Sequence, residues 1–197
     1  MIHLPEERLK KEVCNVVRRY PTNHHVTIYK TGYGDDVFEW LFDRFNKDCN
    51  CSFRVTTRDK SELDIDYDPK YPVIRVKNRY FTGVPTGTVF EEFIKFLTIF
   101  PEGEKLDFLN GKILLLLTAD RCPYCAYALD TMIELVPEGC KFILAEINGV
   151  MDIIERFGIR SVPTILVGDS IKNIKIAFRG YSSRKLMINE LRNAVES

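Results

Sequence analysis

The chain has 197 residues, 45% of them hydrophobic and 12% aromatic, which is enough apolar surface for an ordinary globular core. Its 28 Lys and Arg balance its 28 Asp and Glu, which argues against a dedicated nucleic-acid binder. The longest apolar run, Ile113 to Leu117, is far too short to cross a bilayer, and no secretory pattern opens the chain, so a soluble, cytoplasmic protein with no membrane partner is expected.

In chain order, residues 4–19 read as an amphipathic helix, with Leu4, Leu9, Val13, Val16 and Val17 at helical spacing and Pro5 in the first turn. Pro21 ends it. "HVTIYKT" (25–31) alternates and is rich in β-branched residues, so it predicts a strand. Residues 35–47 predict a helix that opens at an acidic cap, with Val37, Phe38, Leu41, Phe42 and Phe45 on one face and Trp40 in the core. "CSFRVTTR" (51–58) is a further strand, and 71–84 read as a hairpin turning at Lys77-Asn78. A helix over 88–100 and a polar, glycine-containing boundary over 101–112 close the first half.

The second half repeats this order. "KILLLLT" (112–118) has the continuous apolar character of a strand buried on both faces. A helix over 123–136, a strand over 140–147 and a short helix over 149–158 follow. A second hairpin (162–170 with 174–180) and a closing helix (182–195) complete the half. Thr31 and Thr118 each end the first strand of a half, Pro72 and Pro163 each open a hairpin, and Gly83 and Gly180 each close one. The spacing between these pairs drifts by only a few residues, which suggests an internal duplication.

Cys122-Pro123-Tyr124-Cys125 stands where an apolar strand gives way to a helix. A helix start offers unpaired N–H groups and the positive end of the dipole, both of which favour a thiolate at Cys122. Cys122 and Cys125 are three apart on one face, so a disulfide between them opens and closes with little backbone motion. Pro123 fits the first turn, where its missing N–H goes unused, and Arg121 adds a nearby positive charge. This context favours thiol–disulfide exchange: Cys122 attacks a disulfide, and Cys125 resolves the mixed disulfide. No cofactor is required.

Zinc is the main rival, but a closed site needs four ligands, and neither Cys49 with Cys51 nor His24 with His25 forms a convincing second pair. His3, His24 and His25 read as surface or turn residues. Cys14 and Cys140 read as core residues. Cys49 and Cys51 read as one buried and one exposed thiol, the alternative being an auxiliary dithiol or a disulfide to another cysteine. No phosphate loop, dinucleotide fingerprint or serine nucleophile elbow is present.

The succession of strand, Cys-Pro-Tyr-Cys helix, strand, helix, "SVPT" (161–164), hairpin with terminal Gly180 and helix resembles the thioredoxin fold. Two such units behind an N-terminal helix, with "RYFTGVPTGTVFEEFIKFL" at 79–97, resemble the archaeal protein disulfide oxidoreductases. The resemblance implies an α/β fold of two tandem thioredoxin-like (glutaredoxin-like) domains, 1–103 and 104–197, each a mixed sheet flanked by helices. It implies a cis peptide at Pro163, with Val162 and Thr164 beside it at a substrate-binding loop. The partners it implies are protein disulfides and dithiols, an upstream reductase such as a thioredoxin reductase, and glutathione.

Two departures stand out. Thioredoxins carry a buried Asp where this chain has Leu116, so the proton acceptor for Cys125 is unassigned, with Asp120 and Glu146 as candidates. Aligning Thr31 with Thr118 also sets Asp35 opposite Cys122 and Phe38 opposite Cys125, while Pro72 keeps the loop position. The first half is therefore expected to keep the layout without the redox chemistry and to serve packing or substrate binding. The same sequence admits a dedicated electron carrier, a substrate-binding or chaperone module, or a metal-binding regulator.

Overall fold

The structure is a computed structural model that describes residues 6–85 and 89–197, with side chains from residue 11 onward. His3, Leu4, Pro5 and Thr88, and the side chain of Leu9, lie outside the described residues. The helices are α1 (Glu6–Val17), α2 (Asp35–Cys49), α3 (Val89–Thr98), α4 (Pro123–Leu135), α5 (Met151–Phe157) and α6 (Arg184–Glu196). The strands are β1 (His25–Lys30), β2 (Arg54–Asp59), β3 (Val73–Val76), β4 (Arg79–Thr82), β5 (Ile113–Thr118), β6 (Lys141–Glu146), β7 (Thr164–Gly168) and β8 (Lys175–Arg179).

All eight strands join one mixed sheet in the order β2-β1-β3-β4-β6-β5-β7-β8. Within the first four, β1 is parallel to β2 and antiparallel to β3, and β3 is antiparallel to β4. The last four repeat that pattern around β5. The sequence reading expects a separate sheet in each half. Instead β4 and β6 pair in parallel, from Arg79 with Phe142 to Thr82 with Ala145, and fuse the two quartets. Gly83 and Gly149 permit close packing at this seam: a Cβ on Gly149 would stand 2.9 Å from Gly83 Cα, and one on Gly83 would stand 2.7 Å from Glu146 Cβ.

Burial follows from the position of each strand. β5 is central and has every residue buried, as its leucine run predicts. β2 is an edge strand with every residue exposed, and its Arg, Thr and Asp side chains keep that edge polar. One core cluster, on the face covered by α1–α4 and α6, runs without interruption from Cys14 and Phe42 through Phe93 to Leu129 and Leu191. A second cluster lies on the other face around Tyr80, Leu115 and Ile143.

The α2 face differs from expectation. Phe38, Phe42, Phe45 and Cys49 form the buried stripe, whereas Trp40 is 57% and Val37 50% exposed. At about 100° per residue, Trp40 points roughly 200° away from Phe38, out of the core. The Arg44 guanidinium lies over its ring at 5.7 Å. Asp35 is not the cap either. Gly34 holds that position, and the Asp35 carboxylate accepts the N–H groups of Thr31 and Gly32 at 2.8 and 2.9 Å, ordering the loop before the helix.

Candidate active site

β5 ends at Thr118, and the chain turns through Arg121, whose φ of 60° makes the turn sharp. The Arg121 N–H donates to Asp120 Oδ1 at 2.9 Å. Cys122 then caps α4 in an extended conformation, with Pro123 in the first turn. Cys122 and Cys125 form a disulfide. Cys122 is partly exposed, while Cys125 is completely buried.

Antiparallel pairing of Leu117 with Thr164 brings the loop before β7 against the end of β5, and so against the cysteines. The Val162–Pro163 peptide is cis, the one cis bond among the described residues. The Val162 carbonyl oxygen lies 3.7 Å from Cys122 Sγ. Thr164 is fully buried and its hydroxyl donates to Ser161 O at 2.7 Å, while Gly180 N donates to Pro163 O at 2.7 Å. These bonds hold the loop from both sides. Thr164 supports it from within and presents no surface of its own. Beside the cysteines, Tyr124, Tyr127 and Tyr181 are exposed, with the Tyr124 and Tyr181 rings stacked at 6.5 Å and Tyr127 5.6 Å from Tyr181.

On the other side of Cys122 lies a cleft of about 500 Å³, bounded by Val16 of α1 and Tyr20 just beyond it, Glu92 and Lys95 of α3, and Cys122 and Asp130 of α4. Lys95 and Asp130 pair across it. Tyr20 Oη and Arg19 Nη1 each approach Glu91 Oε1 at 3.1 Å, which ties the end of α1 to α3. Glu92 is only 5% exposed, and its Oε2 has no hydrogen-bond partner. Burial, reinforced by the negative charge of Asp130 and opposed by Lys95, pushes its carboxyl up to about 7. Sequence reasoning passed over this residue. Its signal was a charge on the apolar stripe of α3, three after Val89 and four before Phe96.

The two acids singled out from sequence are placed differently. Glu146 is buried at the end of β6, with its carboxylate accepting from Asn148 N at 3.1 Å and Asn148 Nδ2 at 2.8 Å. Asp120 holds the turn at Arg121. In the first half, Phe38 is buried where the alignment sets it opposite Cys125, and the peptide before Pro72 is trans.

Among the remaining cysteines, Cys49 takes the alternative the sequence left open, a disulfide to another cysteine: it pairs with Cys14, which was expected as a core residue, and the buried pair ties α1 to α2. The partners are 35 residues apart, and sequence periodicity carries no information about such pairing. Cys51 is a half-buried free thiol, and burial pushes it up. Cys140 is a buried free thiol pushed up to about 12 by desolvation. His24 Nε2 lies 3.1 Å from Thr98 O and His25 Nε2 lies 2.7 Å from Thr56 Oγ1. Among the described residues, no three His, Cys, Asp or Glu side chains group as metal ligands.

No family model matches the chain, and no curated protein sequence matches it. Solved structures do. A protein disulfide oxidoreductase from Aeropyrum pernix superposes with a TM-score of 0.67 at 14% identity, covering 99% of this chain and 95% of that one. The N-terminal domain of the alkylhydroperoxide reductase AhpF from Enterococcus faecalis gives 0.66 at 10% identity, covering 95% and 100%. Sso1120 from Sulfolobus solfataricus gives 0.52 at 15% identity, covering 83% and 96%. The chain thus has a mixed α/β, thioredoxin-like fold, and its resemblance to the archaeal protein disulfide oxidoreductases holds at the level of fold.

Proposed function

We propose that this protein is a thiol–disulfide oxidoreductase acting on protein disulfides and dithiols through Cys122 and Cys125. The observation that carries the reading is the Cys122–Cys125 disulfide at the start of α4, with the Val162 carbonyl 3.7 Å from Sγ of the partly exposed Cys122. In the reduced protein, the helix N-terminus favours the Cys122 thiolate. That thiolate attacks a substrate disulfide and releases one substrate thiolate. Cys125 then attacks Cys122 Sγ, reforms the protein disulfide and releases the second substrate thiol. The reverse sequence oxidises a dithiol. The backbone at Val162, beside the Gly180 N to Pro163 O hydrogen bond, offers an edge for an extended substrate segment, and Tyr124 and Tyr181 offer an apolar rim.

In this reading, residues 1–103 and 104–197 are two thioredoxin-like units that share one sheet, and the reaction is confined to the second. A dithiol reductase regenerates the pair, with no cofactor held by this chain. The test is insulin reduction driven by dithiothreitol. Cys122→Ser is expected to abolish turnover, and undiminished turnover in that variant would sink the assignment.

A further inference from the structure

α2 ends at Cys49, and the residue that caps it, Asn50, has φ 55° and ψ 42°, in the left-handed helical region. That conformation turns the chain back on itself, and Cys51 N donates to Phe45 O at 3.2 Å. One helical residue between two others sets their Cα atoms about 5.4 Å apart, inside the span of roughly 4.4–6.8 Å that disulfides bridge. The Cα spacing at Cys49 therefore suits a disulfide with either of two partners. Cys14 stands on one side, 4.9 Å away Cα to Cα and bonded to it. Cys51 stands on the other as a free thiol, with its Sγ 3.8 Å from Cys49 O.

The three sulfurs differ in access. Cys14 is 5% and Cys49 2% exposed, so a thiol in solution meets neither directly. Cys51 is half-buried, beside Arg18 and the Thr22 hydroxyl. Arg18 serves both cysteines of the turn. Its Nε donates to Cys49 O at 3.0 Å, and its positive charge favours a thiolate at Cys51, against the burial that disfavours one. Thr22 lies two residues beyond Tyr20, which walls the cleft at Cys122.

We propose that Cys14, Cys49 and Cys51 form a second thiol–disulfide site, in which Cys51 is the port through which small monothiols such as glutathione open and close the buried Cys14–Cys49 bond. This site stands apart from the reading of Cys122 and Cys125. In the first step Cys51 gives its proton to solvent, and its sulfur forms a bond to Cys49 Sγ. The bond from Cys49 to Cys14 breaks, and Cys14 leaves as a thiolate that takes a proton. One disulfide has replaced another, with no net oxidation. A monothiol then attacks Cys51 Sγ as its thiolate, Cys49 is freed and takes the proton, and a mixed disulfide remains on Cys51. A second monothiol attacks the small-molecule sulfur of that mixed disulfide and restores the Cys51 thiol. Two monothiols are oxidised by two electrons to their disulfide, and the protein is reduced by two. Closing runs the same steps backward.

The consequence reaches the cleft. With Cys49 on Cys14, α1 is bonded to α2. With Cys49 on Cys51, or with all three reduced, α1 is left to noncovalent contacts such as those of Arg19 and Tyr20 with Glu91.

The test uses the full chain carrying Cys122→Ser and Cys125→Ser, so the result is independent of any activity at that pair. The protein, with Cys14–Cys49 closed, is incubated in reduced glutathione under native conditions. It is quenched with N-ethylmaleimide and mapped by mass after digestion without reduction. Alkylated Cys14 together with a Cys49–Cys51 disulfide, and a glutathione adduct at Cys51, are the species expected. Cys51→Ser should slow opening of Cys14–Cys49 by ~10-fold or more, because the attacking thiol is then no longer held in the chain. Opening at the parent rate in Cys51→Ser, or a bond that stays closed in both proteins, would overturn the proposal.

If Cys51→Ser does not fold, Cys14→Ala in the same background decides. Treated with glutathione disulfide, it should close a Cys49–Cys51 bond, read as a peptide with neither alkylation nor glutathione. Cys49 and Cys51 that stay as thiols, or carry glutathione without closing, would show that Cys49 has no second partner.

Discussion

At Cys122 the start of α4 favours the thiolate, while three residues on complete burial disfavours ionisation of Cys125. In the proposed reaction this splits the pair into a partly exposed attacker and a buried resolver. Two expectations follow at this scale. Alkylation of the reduced native protein should label Cys122 first, with Cys140, buried and pushed up to about 12, labelled only after unfolding. Early labelling of Cys140, read by mass spectrometry, would contradict this placement. Glu92 makes the second. Its folded pKa, about 7, lies above the ordinary 4.5, so between those values the native state binds more protons than the unfolded state. Stability therefore falls as pH rises through that window, by up to roughly 3 kcal/mol. In urea titrations, Glu92→Gln should gain on wild type between pH 5 and pH 8, and a gap that narrows would show that the carboxyl is not strained toward its neutral form.

Among the elements, α1 and α3 matter most, because they build the far wall of the cleft. The Cys14–Cys49 disulfide fastens α1 to α2, and Arg18 Nε adds a bond to Cys49 O at 3.0 Å. Opening a loop of this length is expected to cost about 4 kcal/mol, measured as the loss of unfolding free energy in Cys14→Ala/Cys49→Ala. An unchanged midpoint would mean that α1 is held by packing alone. At the other end of α3, Arg79 is buried and engages the last carbonyls, and burial lowers its own pKa to about 10. Arg79→Met should destabilise by about 1–3 kcal/mol through those carbonyls, because they would be left buried without a donor.

The elements also show how far the sequence could be read. β5 and α4 were legible because a leucine run and a Cys-Pro helix start are local signals. The outward turn of Trp40 and Val37 was not, because α2 has more apolar residues than its packing stripe can hold. The pairing of Cys14 with Cys49 and the placing of Glu92 on the same cleft as Cys122 are both products of tertiary contact. Only the misplaced charge on the apolar face of α3 hinted at the second.

Across the whole molecule, the β4–β6 pairing and the continuous core make the motif-free half part of the working unit. A fragment of residues 104–197 would expose β6 as an apolar edge and strip α3 from α4. It is expected to aggregate or stay unfolded by circular dichroism, whereas a folded, active fragment would argue for two independent units. The sequence showed the repeat but not this fusion, because no local pattern records which strand edges will meet. The central claim, a working redox pair at 122–125, is tested most directly by equilibrating the full chain in glutathione buffers, quenching with an alkylating agent and mapping each cysteine by mass. The account predicts that Cys122 and Cys125 switch together and reversibly, as one two-electron couple. A pair that stays closed in buffers under which the protein still reduces insulin would contradict it.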